Sequence, residues 1–131
     1  MSYEEIVRGL FAEWNDHGGE LTARYFDPAV ELDTRGLPQP DFQGVYRGLN
    51  EYATWARTWL SAWDDAQQYP VWIESKGSMV VAWVRLRLVG KHSGIGTDQA
   101  YGGWAFRFRD GKIVHIRLIA DEAETRAAQD D

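Results

Sequence analysis

Four side chains carry the functional groups an active site would need: Asp33, Arg85, Arg87 and His92. Asp33 lies near the end of a short run, Ala29 to Thr34, in which Val30 and Leu32 alternate with Glu31 and Asp33. A carboxylate at a strand end serves as a general base when desolvation raises its pKa. Paired with an arginine, the same group is ordinary structure. Arg85 and Arg87 stand two apart, which puts them on one face of a strand. Facing a pocket, two guanidiniums would bind a carboxylate, phosphate or enolate oxygen. Alternation read by itself sends both to solvent or to a polar dimer surface. His92 sits in a glycine-rich segment, GKHSG, as either a neutral-pH proton shuttle or an exposed loop residue. His17 reads as a helix C-terminal charge, and His115 as an outward, dimer-surface residue. Three scattered His with no fixed spacing to Asp or Glu make no metal motif. There is no Ser-His-Asp order, phosphate loop or dinucleotide fingerprint, so no cofactor is expected.

The seven Trp are the second signal. Tyr52, Trp55, Trp59, Trp63, Trp72, Trp83 and Trp104, with Trp14 from the first helix, suit either plain core packing or the walls of a cavity for a planar guest. Indole N–H groups need partners or solvent, which favours some lining.

The elements that must position these groups follow from periodicity. The stretch Ser78 to Asp121 reads as three long antiparallel strands. In the first, Val80, Ala82, Val84, Leu86 and Leu88 share one face, against Val81, Trp83, Arg85, Arg87 and Val89. In the second, Gly102, Trp104, Phe106 and Phe108 oppose Arg107 and Arg109. In the third, Val114, Ile116 and Leu118 oppose His115 and Arg117. A three-residue loop, Arg109-Asp110-Gly111, would set Phe106 opposite Val114 and keep the faces continuous. Upstream, Ser2 to Asp16 is a capped helix with an apolar stripe at Ile6, Val7, Leu10, Phe11 and Trp14. A short helix over Leu21 to Tyr25, the strand Ala29 to Thr34 and a loop, Arg35 to Tyr46, follow. Gly48 to Asp64 is a Trp-rich helix, Gln67 to Glu74 another strand, and the tail after Asp121 a short helix. Helices on one face of an antiparallel sheet give the α+β class.

Composition narrows the functions. The chain has 131 residues, enough for one domain spanning its length, with 44% hydrophobic residues and 14% aromatics. The formal net charge of -6 and the interspersed Arg residues argue against nucleic-acid binding. There is no Cys, hence no disulfide framework or thiol chemistry. No apolar run approaches the ~20 residues that span a bilayer, so no membrane association is expected. The start, MSYEEIVRGLF, lacks the basic opening of a signal peptide, and the cytoplasm is the expected compartment.

Four segments carry a resemblance: RYFDP (24–28), GVYRG (44–48), GKHSG (90–94) and FRDGKIVHIRL (108–118). In this order and spacing the chain resembles the SnoaL-like branch of the nuclear transport factor 2-like superfamily, from about Glu4 to Ala127. The resemblance implies a cone-shaped α+β barrel: a curved, mostly antiparallel sheet wrapped around three helices, with a pocket between. It also implies a homodimer through the outer sheet face. Its enzymes include polyketide cyclases, limonene-epoxide hydrolase, ketosteroid isomerase and dehydratases, which move a proton with one or two desolvated carboxylates. Against the hydrolase pattern, the strand Arg falls on Arg85, its Asp partner on Arg87, and the last-strand Asp on Leu118, so both acids are absent. The family register turns Arg85 and Arg87 toward the pocket, places Asp33 at its mouth as the surviving base and His92 on its rim. Trp14, Tyr52, Trp55, Trp59, Trp72, Trp83, Trp104 and Leu118 are the expected ligand-binding set. The expected function is binding of a small apolar or aromatic molecule, with or without cofactor-free isomerase, cyclase, dehydratase or hydrolase chemistry. The alternative is a non-catalytic binding or dimerisation domain.

Overall fold

A computed structural model describes residues 2–17, 23–38, 40–90 and 96–131, and no side chain of residue 41 or of residues 96–99. Helix α1 (Tyr3–Asp16) is capped by Ser2, whose hydroxyl accepts from the Glu5 N–H at 3.1 Å. A single 3₁₀ turn, Ala23–Tyr25, leads into β1 (Phe26–Gly36). A second 3₁₀ turn, Pro40–Phe42, and a short strand β2 (Val45–Arg47) precede helix α2 (Gly48–Leu60). Four strands follow: β3 (Trp63–Lys76), β4 (Met79–Gly90), β5 (Gly96–Arg109) and β6 (Lys112–Ile119). Helix α3 (Glu122–Ala127) starts on an Asp121 cap and runs into a last 3₁₀ turn, Ala128–Asp130.

The six strands form one sheet in the order β2-β1-β6-β5-β4-β3. Every pairing is antiparallel except β1 with β6, which run parallel. The expected α+β class therefore holds, as a mixed sheet. Several boundaries differ. The expected loop 35–46 contains β2, which extends the sheet beyond β1. The helix expected to reach Asp64 stops at Leu60, and Trp63 opens β3 instead. Trp59 and Trp63 stand at i, i+4, a spacing a continuing helix would also produce, so periodicity alone could not place the break.

The turn between β5 and β6 corrects another expectation. Asp110 (φ 52°) and Gly111 (φ 81°) form a two-residue, left-handed turn, with Arg109 paired to Lys112. Both φ values suit the primed hairpin turns, and only glycine takes the second at no steric cost. The faces survive because the register shifts between Arg107 and Phe108, leaving Val114 as the extra residue of a bulge. Phe106 therefore faces Ile116, and Trp104 faces Leu118.

The concave face carries the main core. Val30 and Leu32 of β1, Val80, Ala82 and Val84 of β4, Trp104 and Phe106 of β5, and Ile116 and Leu118 of β6 pack against Val7, Leu10 and Phe11 of α1 and Tyr52, Trp55 and Ala56 of α2. The outer face has a smaller cluster, Met79, Val81, Ala105, Ile119 and Ala128, covered at one end by the α3 segment. That segment lies tight against the sheet. A Cβ on Gly103 would stand 1.9 Å from the Thr125 hydroxyl oxygen, so only glycine permits the approach.

Candidate functional site

The core is solid at one end and hollow at the other, and β5 explains why. Toward the β5–β6 turn its inner face presents Phe106 and Phe108. Phe108 stacks on Tyr3 at 4.1 Å, and Phe11 meets Phe106 edge-on at 6.1 Å. Toward the other end the same face presents Gly102 and then Ala100, opposite Val84 and Leu86. A Cβ on Gly102 would meet only Leu86 Cδ1, at 3.9 Å. Small residues where neighbours carry rings leave a cavity of about 310 Å³. That volume is at the lower end of what small-molecule sites offer.

Indoles wall the hollow. Trp14 from α1, Trp55 and Trp59 from α2, Trp63 from β3 and Trp104 from β5 all line it. They touch in sequence: Trp14 to Trp59 at 6.2 Å, Trp55 to Trp59 at 6.4 Å, and Trp59 to Trp63 at 6.1 Å. Each such pair contributes about 0.5–1.5 kcal/mol beyond area burial. Trp14 Nε1 donates to the Ala66 carbonyl at 3.2 Å, and Trp55 Nε1 to the Phe42 carbonyl at 3.3 Å. Leu37, Pro38, Leu86, Leu88, Leu118 and Ile119 complete most of the apolar wall.

A buried polar side chain, Gln68, lies in this wall with only 2% of its surface exposed, whereas the Tyr101 phenol, also in the lining, is 48% exposed. Its backbone is held in both directions by one residue of α1. Asn15 Nδ2 donates to the Gln68 carbonyl, and the Gln68 N–H donates to Asn15 Oδ1, each at 2.8 Å. Strand β3 is a sheet edge, so Asn15 satisfies groups that a further strand would otherwise pair. Gln68 Oε1 and Trp63 Nε1 have no hydrogen-bond partner among the described residues.

The charged candidates lie elsewhere. Arg85 and Arg87 do not line the cavity. The inward residues of β4 are Val84, Leu86 and Leu88, so both Arg take the opposite face, as alternation has it and against the family register. The Arg85 guanidinium lies 5.0 Å from the centre of the Tyr69 ring, and Arg87 is exposed beside Gln67. Asp33 also faces outward. Its carboxylate accepts from Arg35 Nε at 3.0 Å and Nη2 at 2.8 Å. Those hydrogen bonds hold the Asp33 carboxyl below the usual carboxylate range, against a smaller opposing effect of burial. A base working in an apolar pocket needs the reverse shift. Around it stands an ionic ladder: Arg47 with Glu31 at 3.2 Å, His115 with Glu31 at 3.8 Å, and Arg117 with Asp131 at 3.4 Å. His92 lies outside the described residues.

Of the expected ligand-binding set, Trp14, Trp55, Trp59, Trp104 and Leu118 line the cavity. Tyr52 is in the solid core, 1% exposed against Phe26, where burial pushes its phenol pKa up. Trp72 is on the outer face, donating to Glu122 at 2.7 Å with Arg126 over its ring at 4.3 Å. Trp83 is outward too, stacked on Tyr101 at 6.2 Å. Gln68 was missed because a Gln-Gln pair carries no chemical signature. Its signal was positional: two residues beyond Ala66, it shares that residue's inward face. No described lining residue contributes a carboxylate, imidazole, ammonium or guanidinium group to the cavity, and no cluster of potential metal ligands occurs among the described residues.

A SnoaL-like domain model matches residues 7–116. The chain belongs to the SnoaL-like domain family. No curated protein matches it by sequence. Among solved structures it is similar to an NTF2-like protein of unknown function from Burkholderia pseudomallei K96243, with a TM-score of 0.79 and 17% identity, covering 100% of both chains. It is similar to TerC, co-crystallised with polyporic acid, with a TM-score of 0.77 and 16% identity over 98% of each chain. A third is a ketosteroid isomerase-like fold from Catenulispora acidiphila DSM 44928 in complex with trimethylamine. There the TM-score is 0.75 and the identity 12%, over 98% of this chain and 95% of that one. At these identities the likeness is one of fold: the NTF2-like cone. Among the described residues, no helix of this SnoaL-like protein is long and apolar enough to cross a membrane.

Proposed function

We propose that this SnoaL-like protein binds a small, largely apolar or aromatic molecule in the Trp-walled cavity, as a binding domain that transfers no proton. The observation that carries the reading is the division of the sheet. The hollow side is lined by indoles and aliphatic groups, and Asp33, Arg85 and Arg87 stand on the other side. An acid–base reaction needs a titratable group within hydrogen-bond reach of the substrate. The described wall offers no carboxylate, imidazole or ammonium group, and its one titratable side chain, the Tyr101 phenol, is 48% exposed and stacked on Trp83. Two proteins of similar fold were crystallised with small molecules, polyporic acid and trimethylamine, which agrees with a guest in this one. The free part of the outer face, where Val71 is 55% and Tyr101 48% exposed beside Trp83, is the surface for a homodimer.

Native mass spectrometry of freshly purified protein tests both parts. The expected result is a dimer mass with a retained small molecule that is lost in Gly102→Leu, whose side chain grows into the hollow. Retention of the same molecule by Gly102→Leu would contradict the cavity reading. A monomer mass throughout would remove the dimer.

A further inference from the structure

The cavity wall contains a mismatch that its apolar character does not explain. Gln68 is 2% exposed, and its Oε1 is shut away from water with no donor among the described residues. Trp63 Nε1, also in the wall, is shut away with no acceptor among the described residues. A buried polar atom left unpaired is costly, and a leucine or methionine at position 68 would avoid the cost. The backbone at Gln68 is tied on the open edge of β3, with Asn15 bonded to both its N–H and its carbonyl. A polar side chain is thus fixed at its root and placed against indole walls. Its last torsion is soft, so the carboxamide turns at small cost to meet a partner. A carboxamide offers one acceptor and one donor group.

We infer that Gln68, assisted by the Trp63 N–H, selects the guest: a neutral, planar molecule carrying both a hydrogen-bond donor and an acceptor, as in a lactam. This rests on the cavity being a binding site. The flat shape follows from the indole walls. Neutrality follows from the described lining, which offers no charged group to offset a desolvated ion. Both atoms are closed off from solvent, so the Gln68 carboxamide and the Trp63 ring turn as the guest enters: its donor then relieves Gln68 Oε1, and its acceptor takes the Trp63 N–H.

The test compares 2-quinolone, a bicyclic lactam, with naphthalene, its apolar shape-mate, and with 2-naphthoate, an anion, by NMR titration of the intact protein. Wild type should prefer 2-quinolone to naphthalene by roughly tenfold or more, and bind 2-naphthoate worst. Gln68→Met keeps the volume and should erase the preference for the lactam. Equal binding of lactam and naphthalene by wild type, or a preference that survives in Gln68→Met, would overturn the inference and leave the cavity reading standing. Preferred binding of 2-naphthoate would also overturn it. If no probe binds, both the cavity reading and this inference fall. Should Gln68→Met not fold, Trp63→Phe carries the test: it should reduce the lactam preference, and an unchanged preference overturns the proposal.

Discussion

The two faces of the sheet are made by the same strands and differ in almost every other respect. Inside, β4 and β5 present Val80, Ala82, Val84, Trp104 and Phe106 to the helices, all buried. Outside, one residue along, they present Trp83, Arg85, Arg87, Tyr101 and Arg107. The period of two sorts side chains so cleanly that every side chain first singled out for acid–base chemistry and described here stands outside. The difference teaches that a charged residue near a cavity in sequence is not thereby a residue of the cavity. A strand residue reaches the other side only through a bulge, and the register shift opposite Leu86 and Leu88 puts its extra residue on β5, so neither Arg of β4 is turned inward.

The faces should respond unequally to substitution. Phe106→Ala, at a fully buried inner position, should cost about 3–5 kcal/mol in urea denaturation. The outward Arg87→Ala should stay within about 0.5 kcal/mol in the same assay. Next comes the place where the outer face is covered. Gly103→Ala forces a methyl group into Thr125, and should cost about 1–3 kcal/mol, partly recovered by adding Thr125→Gly. Asn15→Ala releases both backbone groups of Gln68. It should cost about 1–2 kcal/mol and raise amide hydrogen exchange at Gln68 before it does so in β5.

The smallest effect concerns Asp33, whose carboxyl pKa is lowered in the folded protein by Arg35. A depressed folded pKa means stability that is present above the unfolded value, roughly 4, and lost as pH falls through the folded value. The Arg35 side chain is 69% exposed, so solvent screens the pair and its contribution is small. Wild type should therefore exceed Asp33→Asn in stability near neutral pH. The gap should close as pH drops below about 4. A gap that widened with acid would show that the carboxyl pKa is raised.

Much of this architecture was legible in the sequence because period-two alternation is strong in β4, β5 and β6, and the α1 stripe and its Ser2 cap are strong in turn. Asp110-Gly111 marked a hairpin, but a three-residue loop was expected there, because nothing local marks the Val114 bulge that keeps the faces continuous around a two-residue turn. The short β2 sits between Gly44 and Gly48 and reads as loop until β1 offers it an edge. At the site, the helix-borne Trp14, Trp55 and Trp59 could be read off their spacing. Whether a Trp walls a hollow or fills a core depends on what stands opposite: Gly102 faces space and Phe106 does not, and only packing reveals that. Tyr52 shows the converse, a ring on the expected helix face that meets Phe26 and so belongs to the solid half. Gln68 was silent for the same reason, its importance lying in its surroundings.

The seven indoles report on the central claim directly, because they divide between the faces. Trp14, Trp55, Trp59, Trp63 and Trp104 line the cavity, and Trp72 and Trp83 lie outside. Indole N–H resonances followed during a titration with naphthalene should shift for the first group and stay still for Trp72 and Trp83. Shifts confined to Trp72 and Trp83, or none at all, would contradict a guest held on the inner face.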